Sequence, residues 1–180
     1  STNVTCYGSC NGILSFNGVE GCGTYVLEYK NPGGGPWIPY TAPVTGLCAG
    51  TYKIRITDNC GSVAMGNVAL TQDPVLNVSV TSIVNETAAG AANGKITVNS
   101  TGGFGVKQYS KNGGFTWQTS KKFNGLTAGT YTILVKDAHD CLDEVSATVG
   151  IGLKEGYSEN FNLYPNPATN AVTINMNGLT

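Results

Sequence analysis

Short runs of alternating apolar and polar residues, broken every few positions by Gly, Pro or Asn, recur along the chain and predict strands rather than helices. Leu14 and Phe16 alternate with Ile13, Ser15 and Asn17, and Tyr25, Leu27 and Tyr29 alternate with Val26 and Glu28. In the next clear run Tyr52, Ile54 and Ile56 take one face and Lys53, Arg55 and Thr57 the other, the signature of a strand with one dry and one wet side. Leu76, Val78 and Val80 alternate with Val75, Asn77 and Ser79 to predict a strand that opens a second unit, and Tyr131, Ile133 and Val135 later repeat the Tyr52 pattern.

These runs belong to two copies of one unit. The stretch from Gly46 to Asp58, through Leu47, Ala49, Gly50, Thr51 and Tyr52, returns 79 positions later from Gly125 to Asp137 through Leu126, Ala128, Gly129, Thr130 and Tyr131. Asn11-Gly12 answers Asn93-Gly94 at a spacing of 82, and Trp37 answers Trp117 at 80. A unit of about 80 residues built from short strands is the size of a small β-sandwich. The Gly-Leu-x-Ala-Gly-Thr-Tyr element fits the corner before a sandwich's sixth strand, where a Tyr hydroxyl can tie back to the corner backbone; Tyr52 and Tyr131 are the candidates. The second copy's opening strand has its counterpart before Ser1, so the first copy is either shortened at its front or opened by residues around Asn3, Val4 and Thr5.

The expected architecture is therefore all-β: tandem immunoglobulin-like β-sandwiches followed by the first strand of a C-terminal β domain. The expected divisions are 1–73 and 74–151 for the two repeats, a linker at 152–160, and the start of the third unit at 161–180. Pro165 and Pro167 hold Tyr164 and Asn166 extended, ahead of an alternating Val172, Ile174, Met176 run.

Composition narrows the function. Only 12% of residues are charged and the net charge is −1, so there is no field to gather nucleic acid or an anionic lipid surface. A single histidine, His139, leaves most nucleophile-and-base schemes without a base, so no enzyme is expected. Gly33-Gly34-Gly35 precedes no Lys-Ser or Lys-Thr and reads as a loop rather than a phosphate cradle.

The run from Tyr109 through Gly113, Gly114 and Trp117 to Phe123 and Tyr131, then Val135-Lys136-Asp137-Ala138 and Asp140-Cys141, resembles the SprB-type repeats of secreted Bacteroidota surface proteins. Cys6-Tyr7-Gly8-Ser9-Cys10-Asn11-Gly12 is similar to the opening of such repeats. Leu163, Tyr164, Pro165, Asn166, Pro167 and Ala168 resemble the start of the sorting domain that routes proteins through the type IX secretion system. The resemblance implies a non-catalytic adhesin or stalk, found in gliding motility among other settings, on the outer cell surface or outside the cell. Its implied partners are the type IX translocon, outer-membrane shuttle components and a surface polysaccharide. Two rival expectations are a carbohydrate-binding accessory region of a secreted polysaccharide hydrolase and a secretion cargo bound to the translocon.

Six cysteines stand at 6, 10, 22, 48, 60 and 141, without the Cys-x-x-Cys or histidine spacing of a zinc site. Export favours disulfides. In a sandwich, Cys22 and Cys60 fall in loops at one end and can meet, while Cys48 at the opposite end can meet Cys6 or Cys10. One of Cys6 and Cys10 is then left over, and Cys141, with no partner in its own copy, is expected to be a buried or free thiol; pairing between copies or between chains is the alternative. Asp137, Asp140, Asp143 and Glu144 gather around His139 and could offer oxygens to calcium, against a solvated acidic turn. No other cofactor is expected. Trp37 and Trp117 could stack on sugar rings, although their matching positions in both copies suit residues that pack.

Overall fold

In a computed structural model, residues 1–17, 21–41 and 43–152 are described; the linker beyond Gly152, the Leu163–Ala168 motif and the run to Met176 lie outside them. Within the described residues there are strands and turns and no helix. The first repeat holds β1 (Gly12–Leu14), β2 (Tyr25–Lys30), β3 (Ile38–Pro39), β4 (Val44–Leu47), β5 (Gly50–Asp58) and β6 (Val63–Leu70). The second holds β7 (Asn77–Val84), β8 (Gly94–Thr101), β9 (Gln108–Ser110), β10 (Lys122–Leu126), β11 (Gly129–Lys136) and β12 (Leu142–Val149).

Each repeat is an immunoglobulin-like sandwich of antiparallel sheets. In the second, β10-β8-β7 faces β12-β11-β9; in the first, β1-β4 faces β3-β2-β5-β6. The predicted alternation sets the register. Ile133 and Val135 on β11 point inward and are fully buried among Ile96, Val98, Tyr109 and Phe123, while Thr130 and Thr132, on the alternate positions before them, stay wet. On β5, Tyr52 is buried beside Leu14, Tyr29 and Leu70, and on the outer side Arg55 pairs with Glu28 of β2 at 2.6 Å. The opening strand of the second repeat begins at Asn77, two residues later than Val75, because Val75 and Leu76 lead into it from Pro74. Among the described residues the first repeat has no counterpart of β7. Thr2 makes a single antiparallel bridge to Ile13, and Val4 leaves the sheet to pair in parallel with Gln72, so Asn3-Val4-Thr5 does not supply an opening strand.

The two copies match at the level of single hydrogen bonds. Thr5 N–H donates to Asn11 Oδ1 at 3.1 Å and Asn11 Nδ2 returns to Thr5 Oγ1 at 2.7 Å; Thr87 and Asn93 make the same two bonds at 3.0 and 2.8 Å. Asn3 Oδ1 accepts the Thr71 N–H as Asn85 Oδ1 accepts that of Gly150. Both tyrosine corners close: Tyr52 donates to the Cys48 carbonyl at 2.9 Å and Tyr131 to that of Thr127 at 3.0 Å. Burial, opposed by that carbonyl bond, leaves the Tyr52 hydroxyl above its usual value of 10.0, so it stays a neutral donor across the physiological range. Tyr52→Phe is expected to lower stability by about 1 kcal/mol, the net value of one such bond, and Tyr131→Phe by less because Tyr131 is more open to water. Urea midpoints of the two variants check this.

The corners are stapled differently in the two repeats. Glu86 is buried, 1% exposed, and its carboxylate accepts the Ala92 N–H at 2.7 Å and the Ala128 N–H at 2.8 Å, tying two loops to the front of the repeat. At the position matching Glu86 the first repeat has Val4, and at those matching Ala92 and Thr127 it has Cys10 and Cys48, which form a disulfide. A covalent bond replaces a carboxylate staple. Glu86→Ala leaves both N–H groups without that acceptor and is expected to destabilise the second repeat by about 3 kcal/mol. A chemical-denaturation curve read at Trp117 would show the loss.

Candidate functional site

The most constructed region is the end of the second repeat that meets the first. It is organised by one carboxylate. Asp137, at the end of β11, is 3% exposed; its Oδ2 accepts the Phe104 N–H at 2.8 Å and its Oδ1 accepts those of His139 at 2.9 Å and Cys141 at 3.0 Å. Burial pushes this carboxyl up, but the three N–H groups and the adjacent His139 outweigh it and hold the group below its usual 3.8. Gly103 gives the loop room to close on it: with φ at 58°, a Cβ there would stand 2.7 Å from Asp137 Oδ2. Asp58 does the same work in the first repeat, its Oδ2 taking the Cys22 N–H and its Oδ1 those of Cys60 and Ser62. The Ser62 and Cys22 N–H bonds are the main reason its pKa is lowered.

Across this turn each repeat closes its two loops in its own way. The first uses the Cys22–Cys60 disulfide. The matching positions in the second hold Phe104 and His139, whose rings stack with centroids 4.3 Å apart and planes 3° from parallel. His139 Nδ1 lies 2.7 Å from Asp73 Oδ2, a residue of the segment joining the repeats. A carboxylate only accepts, so Nδ1 carries the hydrogen.

The joint itself is held by backbone and by covalent bonds. Val4 N–H donates to the Thr71 carbonyl, Gly8 N–H to Gln72 Oε1 at 2.8 Å, and Gly103 N–H to the Pro74 carbonyl. Cys6 of the first repeat is joined to Cys141 of the second. This corrects the expectation that Cys141 is a buried or free thiol and that one of Cys6 and Cys10 is left over: every cysteine is paired. Within one sandwich, Cys6 and Cys141 positions lie at opposite ends and could not meet. Stacking the repeats end to end brings the front loop of one against the last turn of the next, and Cys141 takes the partner its own copy lacks. A shallow recess of about 240 Å³ lies beside the bridge, lined by Tyr7, Val75, Leu76, Asp140 and Leu142.

The structure does not bring the four calcium candidates together. Asp137 has spent its oxygens on backbone N–H groups, and Asp140 Oδ1 is on Lys136 Nζ at 3.0 Å. Asp143 Oδ2 accepts the Val78 N–H at 2.6 Å, and Glu144 stands opposite Leu134 on the outer side of β12. Three of the four carboxylates thus serve separate neighbours, and among the described residues no group of His, Cys, Asp and Glu side chains converges to hold a metal ion. The tryptophans are half-buried beneath cations: Arg55 at 4.4 Å and Lys30 at 4.8 Å from the Trp37 ring centre, and Lys136 at 5.0 Å from that of Trp117. Among the described residues every cysteine is in a disulfide, and the imidazole is engaged by Asp73 and Phe104.

Sequence reasoning did not find the roles of Asp58, Asp137 or Glu86, nor the Cys6–Cys141 bridge. The repeat register carried the signal for the first two: Asp58 and Asp137 occupy one position, each followed by the same tight turn.

No family model matches the chain, and no curated protein matches it. Solved structures that are similar include the three N-terminal domains of the highly immunogenic outer capsid protein of bacteriophage RB49, at 12% identity and a TM-score of 0.47 over 83% of this chain. This chain spans 56% of that one. The N-terminal eight Ig domains of Down syndrome cell adhesion molecule match at 13% identity, TM-score 0.37, over 84% of this chain and 21% of that one. The amphioxus IgVJ-C2 molecule matches at 12%, TM-score 0.33, over 83% and 98%.

Proposed function

We propose that the chain is a non-catalytic extracellular segment, two immunoglobulin-like repeats acting as a spacer or adhesive surface, exported by a type IX route through Leu163–Ala168. The observation that carries the extracellular part is the pairing of all six cysteines, one pair spanning the repeats. Such bonds form and persist in oxidising compartments. The spacer role is supported by the joint: a linker reduced to Gln72-Asp73-Pro74, flanked by hydrogen bonds on both sides and bridged covalently, suits holding two units in line. The export part rests on the resemblance of Tyr164-Pro165-Asn166-Pro167, and names the translocon and its outer-membrane shuttle components as partners. The proposed units, 1–73 and 74–151, divide within that joint.

The test compares the mass of the product recovered outside the cell in a strain with the export system intact and in one lacking it. An exterior product ending between residues 152 and 165 only in the intact strain supports the reading. An exterior product that retains Pro165 to Thr180 in both strains defeats the export part and leaves the spacer reading to be judged on the joint alone.

A further inference from the structure

All three cationic side chains of the first repeat, Lys30, Lys53 and Arg55, stand in adjacent rows of β2 and β5, and Arg55 is the only arginine of the chain. Glu28 and Arg55 are cross-strand partners and neutralise each other at 2.6 Å. The next row on that outer face sets Lys30 directly opposite Lys53, and no carboxylate among the described residues pairs with either. Like charges so placed repel and lower the stability of a sheet. The Trp37 indole anchors this end of the cluster, its ring centre 4.8 Å from Lys30 Nζ and 4.4 Å from the Arg55 guanidinium carbon.

The fold itself does not require the lysine row. In the second repeat Leu134 and Ser110 are the cross-strand partners at the place of Arg55 and Glu28, and Thr132 stands where Lys53 does. Trp117 keeps one cation, Lys136, which Asp140 already neutralises at 3.0 Å. The tryptophan is common to both copies, whereas the uncompensated row beside it belongs to the first alone. Two shallow recesses meet at Lys53. One of about 350 Å³ is lined by Lys30, Asn31, Thr51 and the Gly33-Gly34 turn, and one of about 210 Å³ by Trp37, Met65 and Asn67 among others. The side chains of Asn31, Thr51 and Asn67 are exposed to solvent. No apolar side chain lines the larger recess, which sets it apart from the pockets that anchor the side chains of a bound peptide.

We propose that this row binds an anionic polysaccharide, the carboxylate or sulfate ester of one sugar seated between Lys30 and Lys53 and neighbouring hydroxyls on Asn31, Thr51 and Asn67. An acid group there replaces the repulsion of two ammonium groups by two charge-assisted contacts. The net charge of −1 exerts no long-range pull on such a polymer, so recognition is made at the patch. The proposal deepens the adhesive half of the function given above and is independent of the export route.

The probes are oligogalacturonate and dextran sulfate, titrated calorimetrically into the full, oxidised chain at physiological salt, with carboxyl-reduced oligogalacturonate as the neutral control. At least one acidic probe should bind and shift the Trp37 indole N–H signal while that of Trp117 stays in place, and the tighter of the two identifies the acid. The neutral control should do neither. Lys53→Thr installs the residue of the second repeat; it should weaken binding about ten-fold or more, the usual worth of a charge-assisted contact, with a thermal midpoint at or above the wild type's. Lys30→Gln should weaken binding likewise, and Lys95→Gln, an exposed lysine of the second repeat, should leave it unchanged. The proposal is overturned if neither acidic probe binds at millimolar concentration, if the neutral control binds equally, or if Lys95→Gln costs as much as Lys53→Thr, the mark of general charge attraction. It is also overturned if polyglutamate competes as well as the sugars, because the patch then reads acid groups without the sugar. Each of these failures leaves the spacer reading of the joint standing.

Discussion

Replacing Cys6 and Cys141 together by serine should lower global stability by about 5 kcal/mol and split one unfolding transition into two. The bridge closes a sequence separation of 135 residues, enclosing nearly all of both repeats, and a loop of that size gives this magnitude in the chain-entropy account of disulfides. Among the described residues the joint is otherwise tied by the Val4–Thr71, Gly8–Gln72 and Gly103–Pro74 hydrogen bonds and the Asp73–His139 contact. They are each worth about 1 kcal/mol or less net, too little to make two cores melt together. Scanning calorimetry of the double variant under non-reducing conditions is the check, with Cys10–Cys48 and Cys22–Cys60 left in place. A single transition at an unchanged midpoint would mean that the backbone contacts hold the repeats without the covalent tie.

The second large effect is expected at Asp137. Asp137→Ala takes the acceptor away from the N–H groups of Phe104, His139 and Cys141, and a loss of about 4 kcal/mol follows from the usual cost of unsatisfied donors, reduced for the water that can reach this loop. The same carboxylate makes the repeat sensitive to acid. Its folded pKa lies below the ordinary 3.8, so its contribution is complete above the unfolded value and is lost as pH falls through the lower folded one. Wild-type stability should therefore drop below about pH 4, and the Asp137→Asn variant should show a flatter profile there. Asp58 adds in the same direction in the first repeat. Urea midpoints measured between pH 7 and pH 3 on both proteins decide it; parallel profiles would show that the acid loss comes from other carboxylates.

Much of the architecture could be read from alternation. Tyr131, Ile133 and Val135 fall inward because a strand's side chains alternate, and nothing later in the chain disturbs that. The corner tyrosines were equally legible, since Gly-Thr-Tyr at matching positions fixes a turn and places a hydroxyl within reach of the carbonyl four residues back. The site was less so. Asp137 sits in a run of acidic residues that resembles a cation loop, and only the backbone path decides that its oxygens meet three N–H groups while Asp143 turns to β7 and Asp140 to Lys136. The pairing of Cys141 was hidden for another reason. Loop positions can be assigned to the ends of one sandwich from the order of strands, but the contact between sandwiches depends on how Gln72, Asp73 and Pro74 direct the chain.

The two repeats also differ in what they need before they can fold. The second closes its corner with Glu86 and its turn with Phe104 on His139, all of it available to a chain in any compartment. The first closes the same two places with Cys10–Cys48 and Cys22–Cys60, and has the smaller buried core of Leu14, Tyr29, Tyr52 and Leu70. Without oxidation those two closures are missing, and the first repeat is left with its smaller core while the second keeps both of its closures. The oxidation state of the surroundings thus bears unequally on the two repeats: it decides both closures of the first, leaves those of the second untouched, and reaches the second only through the Cys6–Cys141 bond.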